Sequence, residues 1–412
     1  MKNPLRASVP WGVGAVLVGL CWCGISSTGD SHPVGDHVDL ERFREGRALV
    51  QAFECNRCHE GTGLPEVPRD KHCVRCHQEI VSGEFEASRD HLERWRSNLV
   101  HFKHVPSLTA LDARLRPSWL RDYLSQPHDL RPGLNTEMPQ LALDPGQAEA
   151  IAAYFIPTTA PEEAPKGNRA RGWHLLETRG CGTCHRFTGA EQPLPASPLP
   201  MVLEAQALQR GMILAPDLRH TRDRFRPGAL VRWLQDPVGV KPDTAMPPIP
   251  LTETEAEDIA TAILTTALAQ PPSQPLPERL PILKRKVTFA EVDAAVFHAI
   301  CWHCHSEPAY ADGDGGPGNT GGFGFAGRGL NLSSYSAISM GLLDADGQRR
   351  SLFTSVSADD KTPYLIAVLR ARQAEVNGRP VPGLRGMPLG LPPLSPEQIQ
   401  LVDSWIAQGR PQ

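Results

Sequence analysis

Four times in 412 residues the chain runs Cys-x-x-Cys-His: Cys55–His59 (CNRCH), Cys73–His77 (CVRCH), Cys181–His185 (CGTCH) and Cys301–His305 (CWHCH). Two thiols spaced this way sit on one turn of chain. Both can add across the vinyl groups at one porphyrin edge, while the imidazole of the next residue swings beneath the iron as an axial ligand. One match could be a zinc or redox pair followed by a histidine by chance. Four matches take up eight of the ten cysteines, which chance does not explain. The expectation is four covalently bound c-type haems. Cys55, Cys58, Cys73, Cys76, Cys181, Cys184, Cys301 and Cys304 would provide the thioether links, and His59, His77, His185 and His305 the proximal ligands.

Composition fits that demand. Forty prolines, 36 glycines and only 6% aromatic residues imply short helices, long loops and a sparse core, which an apolar porphyrin can complete. The length suggests two to four domains. A formal charge of −4 gives no reason to expect nucleic acid.

The first 27 residues have the parts of an export signal or N-terminal membrane anchor: Lys2 and Arg6, an apolar run from Val9 to about Ile25, then Ser26 and Ser27. Gly24-Ile25-Ser26 is a serviceable cleavage site. Retention as an anchor is the second reading, and lipidation at Cys21 or Cys23, after Leu20 and Trp22, the third. Export agrees with covalent haem attachment, which occurs outside the bacterial inner membrane. The expected location is the periplasm, soluble or anchored to the outer side of that membrane.

The motifs expose an internal repeat. Helices are predicted over Leu40–Glu54, Ala170–Arg179 and Phe289–Ile300, each leading into a motif. Gly46 and Gly172 each stand nine residues before the first cysteine, where a glycine admits a crossing helix; the third copy has Val292. Downstream come Met138-Pro139, Met246-Pro247 and Met387-Pro388, followed six, six and eight residues later by Asp144, Thr252 and Ser395. Each of these last three reads as an N-cap with an amide or acidic residue three places on, a capping box opening a terminal helix. Repeats one and two also match in between, with 11 residues from Pro106 to Pro117 and 11 from Pro216 to Pro227. Proline-rich linkers at about 157–167 and 270–281 separate the repeats. The domains expected are 36–158, carrying two haems, and 166–270 and 286–411, carrying one each.

Helix, Cys-x-x-Cys-His, loop, Met-Pro, terminal helix resembles class I cytochrome c over nearly all of 38–410. The resemblance implies an all-α fold of three tandem class I cytochrome c domains, the first with an extra inserted haem-binding segment. It implies Met138 as the sixth ligand for the haem of Cys55, Met246 for that of Cys181 and Met387 for that of Cys301. The inserted Cys73–His77 motif departs from the family pattern: the stretch before it, GLPEVPRDKH, reads as loop. His77 to Met138 spans 61 residues, as does His185 to Met246, so Met138 has a rival claim from the inserted haem. The helix and Gly46 ahead of Cys55 favour the first haem. The haem without a methionine needs another ligand. Val100-His101-Phe102-Lys103-His104 is similar to distal-ligand segments of small bis-histidine multihaem cytochromes, which puts His104 and His101 first and His91 next. His72 is a further spare histidine, and His128 reads as a local group.

Other signals carry less. Gly322–Gly327 satisfies G-x-G-x-x-G but has no strand before it and no helix after it. Asp312-Gly313-Asp314 would need glutamate where Phe323 stands to be a calcium loop. Met340 lacks a following proline, and His298 and His303 lie too close to the fourth motif to cap its haem.

Six-coordinate haem leaves no iron site for substrate, so the expected function is passage of single electrons between periplasmic or membrane redox partners. Those partners would be a quinol-oxidising complex, a dehydrogenase or a terminal reductase or oxidase. Two other readings stand beside it. One is a fixed subunit of a membrane quinol-oxidising or dehydrogenase complex, since the three-domain layout resembles the triple-haem subunits of membrane-bound dehydrogenases. The other is a peroxidase-like enzyme with an open inserted haem; catalysis is the less favoured reading.

Overall fold

Capping chemistry fixes where the main helices begin. The structure, a computed structural model, describes residues 39–412 apart from 100, 135–137, 142, 158–162, 196–203, 271–274, 303, 307–328, 345 and 357–360. The N-terminal apolar run, both glycine-rich motifs of the third repeat and His303 lie outside the described residues. The chain is predominantly helical, with one small antiparallel ribbon, Leu342–Leu343 against Arg349–Arg350. No described helix is long and apolar enough to cross a membrane.

Repeat one contains α1 (Leu40–Ala52), α2 (Cys73–Ser82), α3 (Arg89–Asn98), α4 (Pro117–Ser125) and α5 (Pro145–Phe155). Repeat two contains α6 (Arg169–Thr178), α7 (Ala205–Leu214), α8 (Thr221–Arg224), α9 (Pro227–Gln235), α10 (Pro237–Val240) and α11 (Glu253–Thr265). Repeat three contains α12 (Phe289–Val292), a π-type stretch Asp293–Cys301, α13 (Tyr335–Ser339), α14 (Tyr364–Val376) and α15 (Pro396–Ala407). The three expected capping boxes are present at Asp144/Gln147, Thr252/Glu255 and Ser395/Gln398. Each satisfies two backbone N–H groups that the helix start would leave unpaired.

First and last helices pack together in repeats one and two, and the glycines are the reason. A Cβ on Gly46 would lie 2.0 Å from the Ala150 carbonyl oxygen, and one on Gly172 would lie 1.9 Å from that of Asp258. No side chain fits at either place. A helix-to-helix ion pair accompanies each crossing, Arg42 with Glu149 at 2.9 Å and Arg171 with Asp258. The third repeat departs from the expected Phe289–Ile300 helix. Only one α-helical turn forms before the backbone widens into the π-type stretch, and Val292 is fully buried where a glycine stood before.

Repeats one and two share one apolar core, which includes Val50, Ile151, Leu176, Ile259 and Ile263. Repeat three has its own, centred on Phe297, Ile366 and Trp405, and the inserted segment has a small third one, Ile80, Leu92 and Trp95. The first two repeats meet through a local two-fold seam. Leu115 and Phe225, each nine residues past Pro106 or Pro216, pair as an antiparallel bridge. Arg116 N donates to Arg224 O and Arg226 N to Arg114 O, both at 2.9 Å. Leu115 thus meets its own counterpart and the two flanking hydrogen bonds are exchanged between equivalent positions, the signature of an isologous contact. Repeat three touches repeat one where Gln126 Nε2 donates to Gly378 O at 3.2 Å.

Candidate haem sites

The turns that carry the first and third motifs are built alike. Helix α1 ends at Phe53, and Glu54 then takes a left-handed conformation (φ 48°) that swings the chain into a 3₁₀ turn, Cys55–Arg57. In repeat two, Gly180 does the same (φ 77°) ahead of Cys181–Thr183. Such a φ is costly for a non-glycine residue. At Glu54 the carboxylate is tied to the buried Arg57 guanidinium at 3.0 Å. The inserted motif is different: after a short 3₁₀ turn, Arg69–Lys71, it occupies the first turns of α2, with the His72 ring accepting from Arg75 N at 3.2 Å as N-cap. The fourth motif leaves the π-type stretch at Cys301.

Three of the four motif histidines are oriented through Nδ1. His59 Nδ1 lies 2.8 Å from the Pro106 carbonyl, His185 Nδ1 2.8 Å from the Pro216 carbonyl and His77 Nδ1 3.2 Å from the His101 carbonyl. A carbonyl can only accept, so Nδ1 carries the proton and Nε2 keeps its lone pair. This is the arrangement by which proteins fix the tautomer and aim of a metal-bound imidazole. Burial holds both His59 and His185 below the usual imidazole range, with the proline carbonyls pulling the other way. His305 is lowered by burial as well, and its main-chain carbonyl accepts from Leu332 N at 2.7 Å.

All eight motif cysteines are partly buried. Burial pushes Cys55 and Cys181 up to about 11 and Cys301 up to about 12, so these sulfurs stay protonated at neutral pH. The Cys58 and Cys73 side chains hydrogen-bond to each other. That bond, helped by the nearby Arg57 charge, draws Cys73 down to about 7, while Cys58 is raised. Last cysteine of one motif and first of the next therefore share one locus. Among the described residues no group of three or more His, Cys, Asp or Glu side chains converges as a bare metal ion would require. Cysteine sulfurs beside imidazoles aimed through Nδ1 are a donor set that a haem would fit.

The methionines lie against the same apolar cores as motif cysteines. Met138 and Cys55 pack against the core shared by repeats one and two, as do Met246 and Cys181, while Met387 and Cys301 pack against the third repeat's core. Cys76 packs on the separate inserted core. Trp233 Nε1 donates to Met246 Sδ at 3.1 Å. No sequence pattern announces that contact, although Trp233 and Met246 both stand at repeat-defined positions. Met340 is 56% exposed.

The spare histidines separate by location. His101 contributes its backbone to His77, and burial lowers its ring first, with Lys103 adding to that. His104 is lowered by burial and by the charges of Lys103, Arg131 and Arg210; the last of these comes from α7 of repeat two. His91 stacks on Trp95 at 5.4 Å. His128 lies against His220 of repeat two, ring centroids 5.0 Å apart, and His298 against Trp302 at 3.6 Å.

Comparison of the chain with protein-family models, with curated proteins and with solved structures found no match.

Proposed function

We propose that the protein is a tetrahaem c-type cytochrome of three class I-like repeats that passes single electrons between redox partners in the periplasm. The observation that carries this reading is the repeated proximal arrangement, a Cys-x-x-Cys-His turn whose histidine is oriented by a carbonyl through Nδ1, with a Met-Pro sulfur in the same core. Bound haem supplies one-electron exchange at iron; the chain supplies the rest. The motif cysteines would hold each ring by thioether links, the histidines would offer Nε2 to the iron, and Met138, Met246 and Met387 would supply the further ligands of three sites and so exclude substrates there. Thioether ligation raises the potential relative to bis-histidine ligation, so the sites would form a graded set.

Two contacts support a continuous path. The Cys58–Cys73 contact would bring the first and inserted haems to adjoining edges, and the seam at Leu115–Phe225 brings repeats one and two together. For the inserted haem, His104 is the better sixth-ligand candidate. The carbonyl of His101 lies on the side of the His77 ring away from Nε2. That bond would hold the His101 segment on the Nδ1 side of His77, away from the nitrogen that would be offered to the iron. Fixed membership of a membrane complex remains the second reading, favoured if the protein copurifies with a membrane partner.

Haem content and low-temperature electron paramagnetic resonance on one oxidised sample test the proposal. Four haems, all low spin, are expected. A high-spin haem that persists in the intact protein and responds to peroxide would replace the carrier reading with an enzymatic one, and fewer than four haems would overturn the tetrahaem assignment. Met246→Ala should remove one methionine-type low-spin signal and leave the other haems unchanged.

A further inference from the structure

The seam between repeats one and two buries positive charge. Arg114, at the end of the loop before α4, is 3% exposed. Its Nε donates to Ala110 O at 3.1 Å and its Nη2 to Thr109 O at 3.3 Å, and among the described residues it forms no ion pair. Burial draws it down to about 10, with only Asp243 and Asp112 pulling the other way. Its counterpart Arg224 has a buried Nε without a partner and is drawn down to about 9 by burial, then by Arg114 and Arg131. Lys241 is 8% exposed and pairs with Asp243. Three cations gathered where water is scarce are costly unless they face negative charge or perform a task.

The side chains also cross the seam. The Arg114 guanidinium lies 5.5 Å over the ring of Trp233, and Arg224 lies 5.4 Å over Trp119. Trp233 is the residue whose indole N–H holds Met246 Sδ, and Asp243, which faces Arg114, stands three residues before that methionine. Arg114 belongs to repeat one in sequence and to the methionine side of repeat two in space.

We propose that Arg114 acts in trans as a positioning residue: its charge, laid on Trp233, holds the Trp233–Met246 contact and sets the reduction potential of the haem attached at Cys181 and Cys184. The inference rests on the tetrahaem reading. A buried cation near the site favours the reduced, less positive iron, so its removal lowers that potential. The two repeats are then coupled by design of the seam: separating them would change how repeat two holds its electron.

The test is a potentiometric titration of the intact protein and of Arg114→Gln, Arg114→Lys and Met246→His. Replacing the thioether with imidazole moves one wave to lower potential and so marks the wave of repeat two. In Arg114→Gln that same wave should shift down, and in Arg114→Lys it should return most of the way. A shift confined to another wave would mean that Arg114 acts within its own repeat, and no shift would mean that it has no electronic role; either outcome overturns the proposal. Equal shifts in the Lys and Gln variants would assign the residue a purely structural role and overturn it as well. Fewer than four haems in the unmodified protein would instead refute the tetrahaem reading on which the inference rests.

Discussion

Repeats two and three build the same frame in opposite ways. In repeat two, α6 and α11 cross with backbone against backbone, because Gly172 leaves nothing between them, and the buried Asp258 carboxylate ties the crossing to Arg171. In repeat three, Val292 keeps the helices apart, and rings fill the space. Phe289, Phe297, Tyr335 and Phe353 surround Trp405 with centroids 5.8–6.3 Å from it. The carboxylate there, Asp403, is met by Arg279 from the preceding linker rather than from the first helix. The same outer plan therefore tolerates a close crossing or a wide one, provided that either backbone contact or aromatic volume excludes water.

That contrast can be broken by mutation, and the largest effect belongs to repeat three. Trp405 is 1% exposed, and Trp405→Ala should cost about 4 kcal/mol, read from the urea midpoint. A variant that keeps its midpoint would show that the rings are not what holds the third repeat. Next is Gly172→Ala in repeat two. The added methyl meets the Asp258 carbonyl, and overpacking should cost about 3 kcal/mol; an unchanged midpoint would mean that the helices separate freely.

Acid sharpens the comparison further. The hydrogen bonds from Arg171, followed by that from Asn168 N, hold the Asp258 carboxylate below its ordinary range, and the Thr252 backbone bond and Arg179 do the same for Glu255. A depressed carboxylate contributes its full stability above the unfolded value of about 4 and loses it as pH falls through the folded value. Repeat two should therefore loosen as pH falls below about 4, and Asp258→Asn should lower its stability at pH 7 while flattening that acid limb. An unchanged acid limb would place the sensitivity elsewhere. The smallest effect is expected at Arg42–Glu149 in repeat one, where both side chains are nearly half exposed. Arg42→Ala should change stability by about 0.5 kcal/mol or less, and a larger loss in thermal unfolding would show that this pair fixes the α1–α5 crossing.

Much of the local structure was legible because its causes lie within a few residues. The capping residues Asp144, Thr252 and Ser395 stand three positions before their partners, so spacing alone marked the helix starts. Gly46 and Gly172 were readable as crossing points because both stand at the same distance from a cysteine. The third repeat's π-type stretch was not legible: Phe289–Ile300 has an ordinary helical pattern, and the widening accompanies the packing of Phe297 and Val296 into a core built from α14 and α15. The contact of the His101 carbonyl with His77 was not legible either, because a backbone acceptor carries no residue-type signal.

The sequence by itself determined the four Cys-x-x-Cys-His turns, the three Met-Pro positions, the repeat and the predominantly helical class, because these depend on residue type and short-range spacing. Tertiary structure alone decided that Cys58 meets Cys73, that Leu115 meets Phe225, and that Arg114 of one repeat lies on Trp233 of the next. Those contacts join residues separated by loops and linkers whose closure entropy hardly depends on their sequence. What selects them is burial of a shared apolar core and backbone pairing, and neither leaves a periodic mark in the chain.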